Sequence, residues 1–473
     1  MNYYFLGIGG IGMSALARYF KLQGHNVSGY DRTPSELTHQ LESEGIAIHY
    51  DDDPTLIRTK PDLIVYTPAV PDDTAEMKYL RQTGITMVKR SQMLGHLTEG
   101  HKCIAVAGSH GKTTSSSLIA HLLQQSGIGC SAFLGGICKN FGSNLLVNPG
   151  SEYIVVEADE YDRSFLQLHP YYSVITATDP DHLDIYGTHQ AMLEAFCQYA
   201  NQTVDGGHLF IKEGCFVTEG GEPFIEYGPH HHHEAHDDRN HTQAELRPTI
   251  STYTAHGIEA DYYAINVRNY RGDIYFDLRT PQGVFYDICL TESCLYNVEN
   301  AVAASSVALS CGLNEYQLRA GLKSFKGIRR RFDYHINEPS LIYIDDYAHH
   351  PREIAATLES VRYLYPGKRI VGVFQPHLYS RTAEFATQFA EVLSTLDEVV
   401  LMPIYPARER PIPGVNSHTI LKQIKHMSKY LCSPQQVLEL VPALCPDVVL
   451  TLGAGDIDRL VPQLEQTLRE NLL

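Results

Sequence analysis

Short apolar runs alternate with longer stretches of helical pattern over the first hundred residues of the chain. The strand-like runs are residues 3–6, 26–30, 62–66 and 85–88. Alternation of this kind predicts a parallel sheet with helices on both of its faces. A polar joint, "HLTEGHK", follows the last of these elements.

The same pattern starts again at "CIAVAG" and continues through "YIVVEAD" and "YSVITAT". Between residues 250 and 290 it changes to short strands separated by turns such as "RGD" and "TPQG", which predicts a small antiparallel sheet. The segment "NVENAVAASSVALSCG" then predicts a helix that ends at Gly312.

A third α/β unit begins near residue 325, with strand candidates "LIYIDDY", "RIVGVFQP", "EVVLMPI" and "DVVLTLG". A length of 473 residues agrees with about three domains. The predicted domains are residues 1–98, 99–324 and 325–473, all of the α/β class.

Composition narrows the functional classes. The net charge of −18 argues against a broad nucleic-acid interface, which needs a basic face. We expect no membrane span, because no apolar run is long enough, and no secretory signal, because the N-terminus reads as a strand. The 10 cysteines lack CxxC spacing, so we expect free thiols in a cytoplasmic protein. The histidine-rich stretch at residues 229–241 fits a solvated loop better than a metal site, although both remain open.

The first candidate site is the string "FLGIGGIGMSAL", in which a strand runs into Gly7, Gly9, Gly10 and Gly12 before a helix. Asp31 follows Gly12 by 19 residues, at the end of the second strand. This layout is typical of a dinucleotide-binding turn, and spacing alone leaves an NAD-dependent oxidoreductase open.

A second glycine loop, "GSHGKTT", lies between a strand and a helix. Backbone N–H groups of such a turn bind phosphate, the lysine reaches the outer phosphates, and a following hydroxyl binds Mg²⁺. The strict P-loop pattern fails because Val106 stands at its first glycine position. We nevertheless predict an ATP site. Its loop residues are Gly108, Ser109, His110, Gly111, Lys112, Thr113 and Thr114.

Acidic residues follow two strands of the same unit. Glu157, Asp159 and Glu160 end one strand, and "DPDHLD" (residues 179–184) ends the next. Ligands of open α/β sheets bind at the carboxyl ends of the strands, and Mg²⁺ prefers oxygen donors. We therefore predict a Mg²⁺–nucleotide site there.

Taken together, these strings resemble the Mur ligases, the ATP-dependent amino-acid ligases of peptidoglycan synthesis. Further strings that carry the resemblance are "YNVENAVAA", "GIRRRFD", "IDDYAHHPREI", "FQPHLYSRT", "MPIYPARERPIPGV" and "LGAGDI". The resemblance implies three domains: a Rossmann-like domain for UDP, a central P-loop-type ATPase domain with a small antiparallel sheet, and a C-terminal Rossmann-like domain. It also implies ATP and Mg²⁺, with UDP-N-acetylmuramate and L-alanine as substrates, joined through an acyl phosphate by a monomer or weak homodimer.

The resemblance also implies roles for individual residues. UDP-sugar contacts fall on Gly9, Gly10, Gly12 and Asp31, and the Mg²⁺ ligands on Thr113, Glu157 and His182. The remaining ATP contacts fall on Asn297, Asn300, Arg330, Arg331 and Asp346. Lys112 is implied to act on the ATP phosphates, and His349 and Arg381 to hold the incoming amino acid; these three are the implied catalytic residues.

Two positions depart from the family pattern. Leu378 stands where the string "FQPHRYTR" has arginine, so Arg352 or Arg408 is an alternative partner for the amino-acid carboxylate. Cys197 stands where several relatives have a carbamylated lysine, which agrees with the alanine-adding branch. The alternatives are a ligase that adds a tripeptide to UDP-N-acetylmuramate, an NAD-dependent oxidoreductase and a non-catalytic nucleotide sensor.

Overall fold

A computed structural model describes residues 1–180, 183–215, 247–255, 260–407, 409–425 and 428–471. The histidine-rich stretch, His182 and Arg408 therefore lie outside the described residues. The chain forms two compact units. The first is Met1–Ile265, Asp277–Ile288 and Glu299–Phe325, and the second is Asn266–Phe276, Cys289–Val298 and Lys326–Leu473.

The N-terminal part of the first unit is a five-stranded parallel sheet, as predicted. Its strands are β1 (Asn2–Leu6), β2 (Asn26–Tyr30), β3 (Ala47–His49), β4 (Leu63–Tyr66) and β5 (Met87–Lys89). Its helices are α1 (Ile11–Leu22), α2 (Glu36–Ser43), α3 (Ala75–Gln82) and α4 (Arg90–Thr98), with a 3₁₀ turn at Pro54–Leu56. The strand order is β3-β2-β1-β4-β5. The pattern missed β3, because three half-exposed residues carry no buried run.

The central region forms a ten-stranded sheet in the order β15-β14-β13-β12-β11-β10-β6-β9-β7-β8. Its strands are β6 (Lys102–Ala107), β7 (Ser131–Cys138), β8 (Ser143–Leu146), β9 (Tyr153–Glu157), β10 (Tyr172–Ile175), β11 (His208–Lys212), β12 (Thr249–Thr254), β13 (Tyr262–Tyr270), β14 (Asp273–Thr280) and β15 (Gly283–Leu290). Its helices are α5 (Lys112–Ser126), α6 (Leu183–Tyr186), α7 (His189–Asn201), α8 (Tyr296–Ser310) and α9 (Glu315–Ser324), with a 3₁₀ segment at Tyr161–Gln167.

This central sheet is mixed. Strands β7-β9-β6-β10-β11 pair in parallel, and β8 is antiparallel to β7. Only two residues join β13 to β14 and β14 to β15, and neighbouring strands connected so tightly must be antiparallel. The prediction of a separate antiparallel sheet between 250 and 290 is therefore only partly right: β12 pairs in parallel with both β11 and β13, and the strands of this region continue the central sheet.

The second unit contains a six-stranded sheet in the order β16-β17-β21-β18-β19-β20. Its strands are β16 (Asp333–Glu338), β17 (Leu341–Asp346), β18 (Ile370–Phe374), β19 (Glu398–Leu401), β20 (Lys429–Leu431) and β21 (Val448–Leu452). Its helices are α10 (Pro351–Leu364), α11 (Tyr379–Leu393), α12 (His418–Leu421), α13 (Pro434–Ala443) and α14 (Val461–Glu470), with a 3₁₀ turn at Asp456–Arg459. Strands β17, β18 and β21 are buried throughout, which explains why their sequences are nearly continuous apolar runs. Within the described part of the chain, no helix is long and apolar enough to cross a membrane.

Helix α5 packs on α9 through a buried histidine. His121, which is 2% exposed, donates from Nε2 to the carbonyl oxygen of Gly321 at 3.1 Å and lies 3.0 Å from Ser324 Oγ. Burial lowers the pKa of His121 to about 4, because the charged imidazolium would lose its solvation. The folded protein therefore holds this side chain neutral.

We expect His121 to make the protein less stable in mild acid. Between pH 6.5 and about 4 the unfolded chain binds a proton at this residue and the folded chain does not, so the free energy of unfolding falls as pH falls. His121→Gln keeps an N–H donor and removes that proton uptake, so its stability should depend less steeply on pH. Urea unfolding at several pH values, with exposed His101→Gln as the control, measures the difference. An unchanged pH slope in His121→Gln would contradict the assignment.

Candidate functional site

The second glycine loop joins β6 to α5 and is fastened to the end of β10. The hydroxyl of Thr176 donates to the carbonyl oxygens of Ala107, at 3.1 Å, and of His110. Ser109 N donates to the carbonyl oxygen of Ala177 at 3.0 Å, and Ser109 Oγ accepts Asp179 N at 3.0 Å. The loop is therefore held in shape by the neighbouring strand, as a phosphate-binding turn requires.

Gly111 ends this loop in a left-handed conformation, with φ of 81°. A Cβ at this position would lie 2.6 Å from Oδ1 of Asn300, a buried side chain that also accepts a hydrogen bond from Ser115 Oγ at 3.1 Å. Both the backbone angle and the lack of space therefore favour glycine at this position.

Gly111→Ala should destabilise the protein by about 2–5 kcal/mol, from backbone strain and overpacking together, and should weaken binding of an ATP analogue. Gly127→Ala is the matched control, because Gly127 at the other end of α5 has φ of 84° but no atom within 4 Å of its Cβ position. The control should lose only about 1 kcal/mol. Urea unfolding and titration with the analogue measure both effects, and equal losses in the two variants would refute the steric argument.

Lys112 is the first residue of α5, and its side chain folds back over the second glycine loop. Its Nζ donates to the carbonyl oxygen of Gly108 at 2.6 Å and to Oε1 of Glu160 at 2.8 Å. Burial acts to lower the pKa of Lys112, but Glu160, Glu157 and Asp159 outweigh it and raise the pKa above its usual value. The side chain is 15% exposed, so the loop holds a charged amine that keeps some access to solvent.

The predicted acidic cluster assembles around this lysine. Glu157, at the end of β9, accepts Gly135 N at 3.1 Å, and Glu160 is fully buried. Asp159 accepts Tyr161 N at 3.1 Å and pairs with Arg90 at 3.0 Å. Among the described residues, no three histidine, cysteine or acidic side chains are grouped closely enough to hold a metal ion. The oxygen donors present nevertheless fit Mg²⁺, which usually binds one or two protein carboxylates together with substrate phosphates.

The first glycine loop is shaped by Asp31. Gly9 N donates to Oδ2 of Asp31 at 2.8 Å, and Gly7 N donates to the carbonyl oxygen of Tyr30 at 2.8 Å. Asp31 therefore fastens the loop to the end of β2. The predicted contacts of Gly9, Gly10, Gly12 and Asp31 with a UDP-sugar remain predictions.

In the second unit, the buried carboxylate of Asp346 accepts hydrogen bonds from several separate segments of the chain. Asp346, at the end of β17, accepts hydrogen bonds from four groups: Phe332 N (3.0 Å), Ala348 N (2.8 Å), Tyr296 Oη (3.0 Å) and Thr357 Oγ1 (3.4 Å). Burial raises the pKa of Asp346 to about 6. In this structure these four groups already donate hydrogen bonds to the carboxylate. A ribose hydroxyl could bind Asp346 only by replacing some of them, and the ribose contact stays a prediction.

The two adjacent arginines share a ring contact, because the guanidinium of Arg330 lies 5.2 Å from the centre of the Tyr347 ring and that of Arg331 lies similarly near. Arg330 donates to the carbonyl oxygen of Gly453 at 2.6 Å and pairs with the buried Asp345 at 3.2 Å. The guanidinium of Arg331 lies 5.0 Å from the centre of the Tyr347 ring. Arg330 thus joins the segment before β16 to the end of β21, while Asn297, in the first turn of α8, donates to Oγ of Ser293, which precedes that helix, at 3.2 Å. The predicted ATP contacts of Arg330, Arg331, Asn297 and Asn300 remain predictions.

His349 and Arg381 lie near each other, around a second histidine. The ring of His377 is 6.0 Å from the ring of His349, and Arg381 Nη1 is 3.4 Å from His377 Nδ1. His349 Nδ1 lies 2.9 Å from the carbonyl oxygen of Tyr347, and this acceptor requires the proton on Nδ1. Burial lowers the pKa of His349, and it lowers the pKa of His377 to about 4, so both rings are neutral.

Leu378 adopts a backbone conformation that is rare for leucine. Its φ is 68° at the start of α11, where its N–H donates to the carbonyl oxygen of Tyr405 at 3.0 Å. Strain of this kind is found where the surrounding contacts hold a segment in place. Those contacts fix the turn that presents His377 and Arg381.

Sequence reasoning did not assign roles to Thr176, Arg90 or His377. Thr176 lies within the strand-end string "YSVITAT", and His377 precedes Arg381 by four residues in "FQPHLYSR". Both residues therefore stand inside strings that the sequence analysis had already singled out. Arg90 stands in "VKRSQML", which carries no motif. Its partners are distant in sequence, and only folding brings them to it.

Three family models match most of the chain, and all three describe one family of ligases. Residues 2–102 match the "Mur ligase family, catalytic domain", residues 106–308 the "Mur ligase middle domain", and residues 330–455 the "Mur ligase, glutamate ligase domain". The chain belongs to the Mur ligase family, whose members are ATP-dependent ligases.

Within that family, the chain is similar to proteins named UDP-N-acetylmuramate–L-alanine ligase. It is 48% identical to that of Phocaeicola vulgatus over 467 residues, covering 98% of this chain and 96% of the relative. It is 46% identical to that of Porphyromonas gingivalis, covering 98% of both. The crystal structure of UDP-N-acetylmuramate–alanine ligase from Thermotoga maritima superposes with a TM-score of 0.80 at 26% identity, covering 100% of this chain and 99% of that one. A murein peptide ligase from Psychrobacter arcticus, at 20% identity and a TM-score of 0.69 over 99% and 98% of the two chains, shares the fold.

Proposed function

We propose that this protein joins L-alanine to the lactyl carboxylate of UDP-N-acetylmuramate, with ATP converted to ADP and phosphate. The full-length similarity to relatives of that name carries the proposal. The loop around Lys112 supports it, because a carboxylate must first be activated before an amine can displace its oxygen. Transfer of the ATP γ-phosphoryl group to the carboxylate gives an acyl phosphate, which the amine of L-alanine attacks, releasing phosphate.

Lys112 supplies positive charge for the phosphoryl transfer. Its amine is held by Glu160 and Gly108 in this structure and is charged, so it can move onto phosphate oxygens without changing protonation state. The backbone N–H groups at the start of α5 add to this stabilisation. In this proposal Mg²⁺ neutralises charge on the phosphates and would be held by Thr113 and Glu157, with His182 as a further predicted ligand.

Arg381 and His349 prepare the amino acid. The planar guanidinium of Arg381 suits a carboxylate, and the neutral His377 beside it adds no competing charge. His349 carries its proton on Nδ1, which leaves Nε2 able to accept a proton from the ammonium group of L-alanine. Only the neutral amine attacks, so this acceptor makes the nucleophile available.

The nearest alternative is addition of a tripeptide to the same sugar nucleotide. Leu378 in place of arginine keeps it open, but the relatives that match at 41–48% identity are L-alanine ligases, which favours L-alanine. An NAD-dependent oxidoreductase would not need the second glycine loop.

We expect the reaction in the cytoplasm, because all 10 cysteines are free thiols. The oligomeric state and the boundaries 1–98, 99–324 and 325–473 stay predictions.

Phosphate release from ATP tests the proposal directly. With Mg²⁺ and UDP-N-acetylmuramate, release should require L-alanine and should not occur when the sugar nucleotide is omitted. Release with tripeptide but not with L-alanine would select the alternative ligase. No release with either amino component would reject ligation, and a change of nicotinamide absorbance would then be sought.

A further inference from the structure

Arg90 contacts both the first glycine loop and the acidic segment after β9, which the sequence analysis assigned to two separate sites. It follows β5 directly and begins α4, and its side chain is 20% exposed. Its Nη2 lies 3.0 Å from Oδ2 of Asp159, in the acidic segment after β9. A Cβ on Gly12 would lie 2.9 Å from Arg90 Nη1, and the three atoms nearest that position all belong to Arg90. The same guanidinium thus lies against the first glycine loop and pairs with the acidic segment of the second.

Contacts continue from Asp159 to Lys112. Oδ1 of Asp159 accepts Tyr161 N at 3.1 Å, and its carbonyl oxygen accepts Phe165 N at 2.8 Å, so Asp159 shapes the turn that carries Glu160. Glu160 in turn holds Lys112 at 2.8 Å. A continuous series of contacts therefore runs from Gly12 to the lysine of the ATP loop.

We propose that Arg90 is a positioning residue that couples occupancy of the first glycine loop to the state of Lys112. The inference rests on the proposed function, which places the diphosphate of UDP-N-acetylmuramate at this loop. A diphosphate competes with Asp159 for the guanidinium donors. Asp159 then loses part of its pairing, the turn carrying Glu160 relaxes, and Lys112 transfers more readily to the ATP phosphates. The two nucleotides should therefore bind cooperatively, each raising the affinity for the other by the same factor.

The chain offers a matched control. Lys89 and Asp162 form an ion pair at 2.9 Å, and it joins the same two segments as the pair of Arg90 and Asp159. The two pairs are similar in length and sequence separation, but only the guanidinium of Arg90 lies against Gly12. Loss of the control pair tests whether merely tying the segments together produces the cooperativity.

The experiment measures the dissociation constant of UDP-N-acetylmuramate by titration calorimetry, with and without a non-hydrolysable ATP analogue and Mg²⁺. In the wild-type protein the analogue should tighten binding by about fivefold or more, which is the lower end of typical couplings. In Arg90→Met and in Asp159→Asn the factor should fall to about one. Asp159→Asn should bind the sugar nucleotide alone at least as tightly as the wild type, because the competing carboxylate is gone, whereas Arg90→Met should bind it more weakly. Lys89→Met and Asp162→Asn should keep the wild-type factor.

Three results would overturn the inference: a wild-type factor of one, a factor unchanged in Arg90→Met and Asp159→Asn, or an equal loss in Lys89→Met. The last would mean that these ion pairs act only as structural ties. Failure of the proposed function is distinguishable, because the wild-type protein would then neither bind UDP-N-acetylmuramate nor release phosphate with L-alanine. Thermal unfolding of each variant shows whether it is folded before binding is compared.

Discussion

Lys112→Met should reduce phosphate release dependent on L-alanine by about 10²- to 10³-fold, while binding of UDP-N-acetylmuramate changes little. The amine of Lys112 is the cation that the second glycine loop holds at its mouth, and methionine keeps the length of the side chain without the charge. Single-turnover phosphate release and calorimetric binding measure the two quantities. Lys102→Met is the control, because Lys102 lies at the opposite end of β6, paired with Glu152 at 3.1 Å.

A second variant separates chemistry from stability. Lys112→Met breaks the ion pair with Glu160, which is fully buried, and breaking a buried ion pair by removing one partner costs about 3–5 kcal/mol. The double variant Lys112→Met with Glu160→Gln removes both charges, so it should recover much of that stability and none of the activity. If the double variant regained turnover with its stability, Lys112 would be a structural residue and the site assignment would be wrong.

Arg381→Ala should raise the KM for L-alanine by about 10- to 100-fold, with a smaller change in kcat. A charge-assisted hydrogen bond contributes about 1.5–3 kcal/mol, and the carboxylate of L-alanine is bound in the ground state as well as in the transition state. Steady-state kinetics with L-alanine as the varied substrate measures the effect. The KM for ATP should stay within about twofold of the wild type, since a distortion of the whole active site would change both KM values.

Arg352→Ala is the informative comparison, because the departure at Leu378 left Arg352 as an alternative partner. Arg352 is exposed on the first turn of α10, whereas Arg381 lies beside His377 and near His349. We expect Arg352→Ala to leave the KM for L-alanine nearly unchanged. A large rise in Arg352→Ala and none in Arg381→Ala would move the amino-acid site to α10.

The local sequence pattern predicted many of the strands, because whether a segment forms a buried strand depends largely on residues that are neighbours in the chain. Buried parallel strands are nearly continuous apolar runs, which is why β1, β17, β18 and β21 were found within a residue or two of their ends. The edge strands β3 and β20 are only three residues long and half exposed, so no run marked them. The antiparallel edge strand β16 also lacks a continuous buried run, and it too was missed.

The sequence by itself determined the α/β alternation, the two glycine loops and the family, because turn geometry and phosphate binding need particular residue types at close spacing. Only the tertiary structure decided which charges meet. Glu160 reaches Lys112 across 48 residues, Asp159 reaches Arg90 across 69, and Asn300 reaches Ser115 of α5 across 185. No local rule sets such pairs, since each follows from which strands lie side by side and where their ends stand. The pairing of Arg90 with Asp159 beside Gly12 is therefore a property of the fold, and it links two loops that the sequence presents as separate.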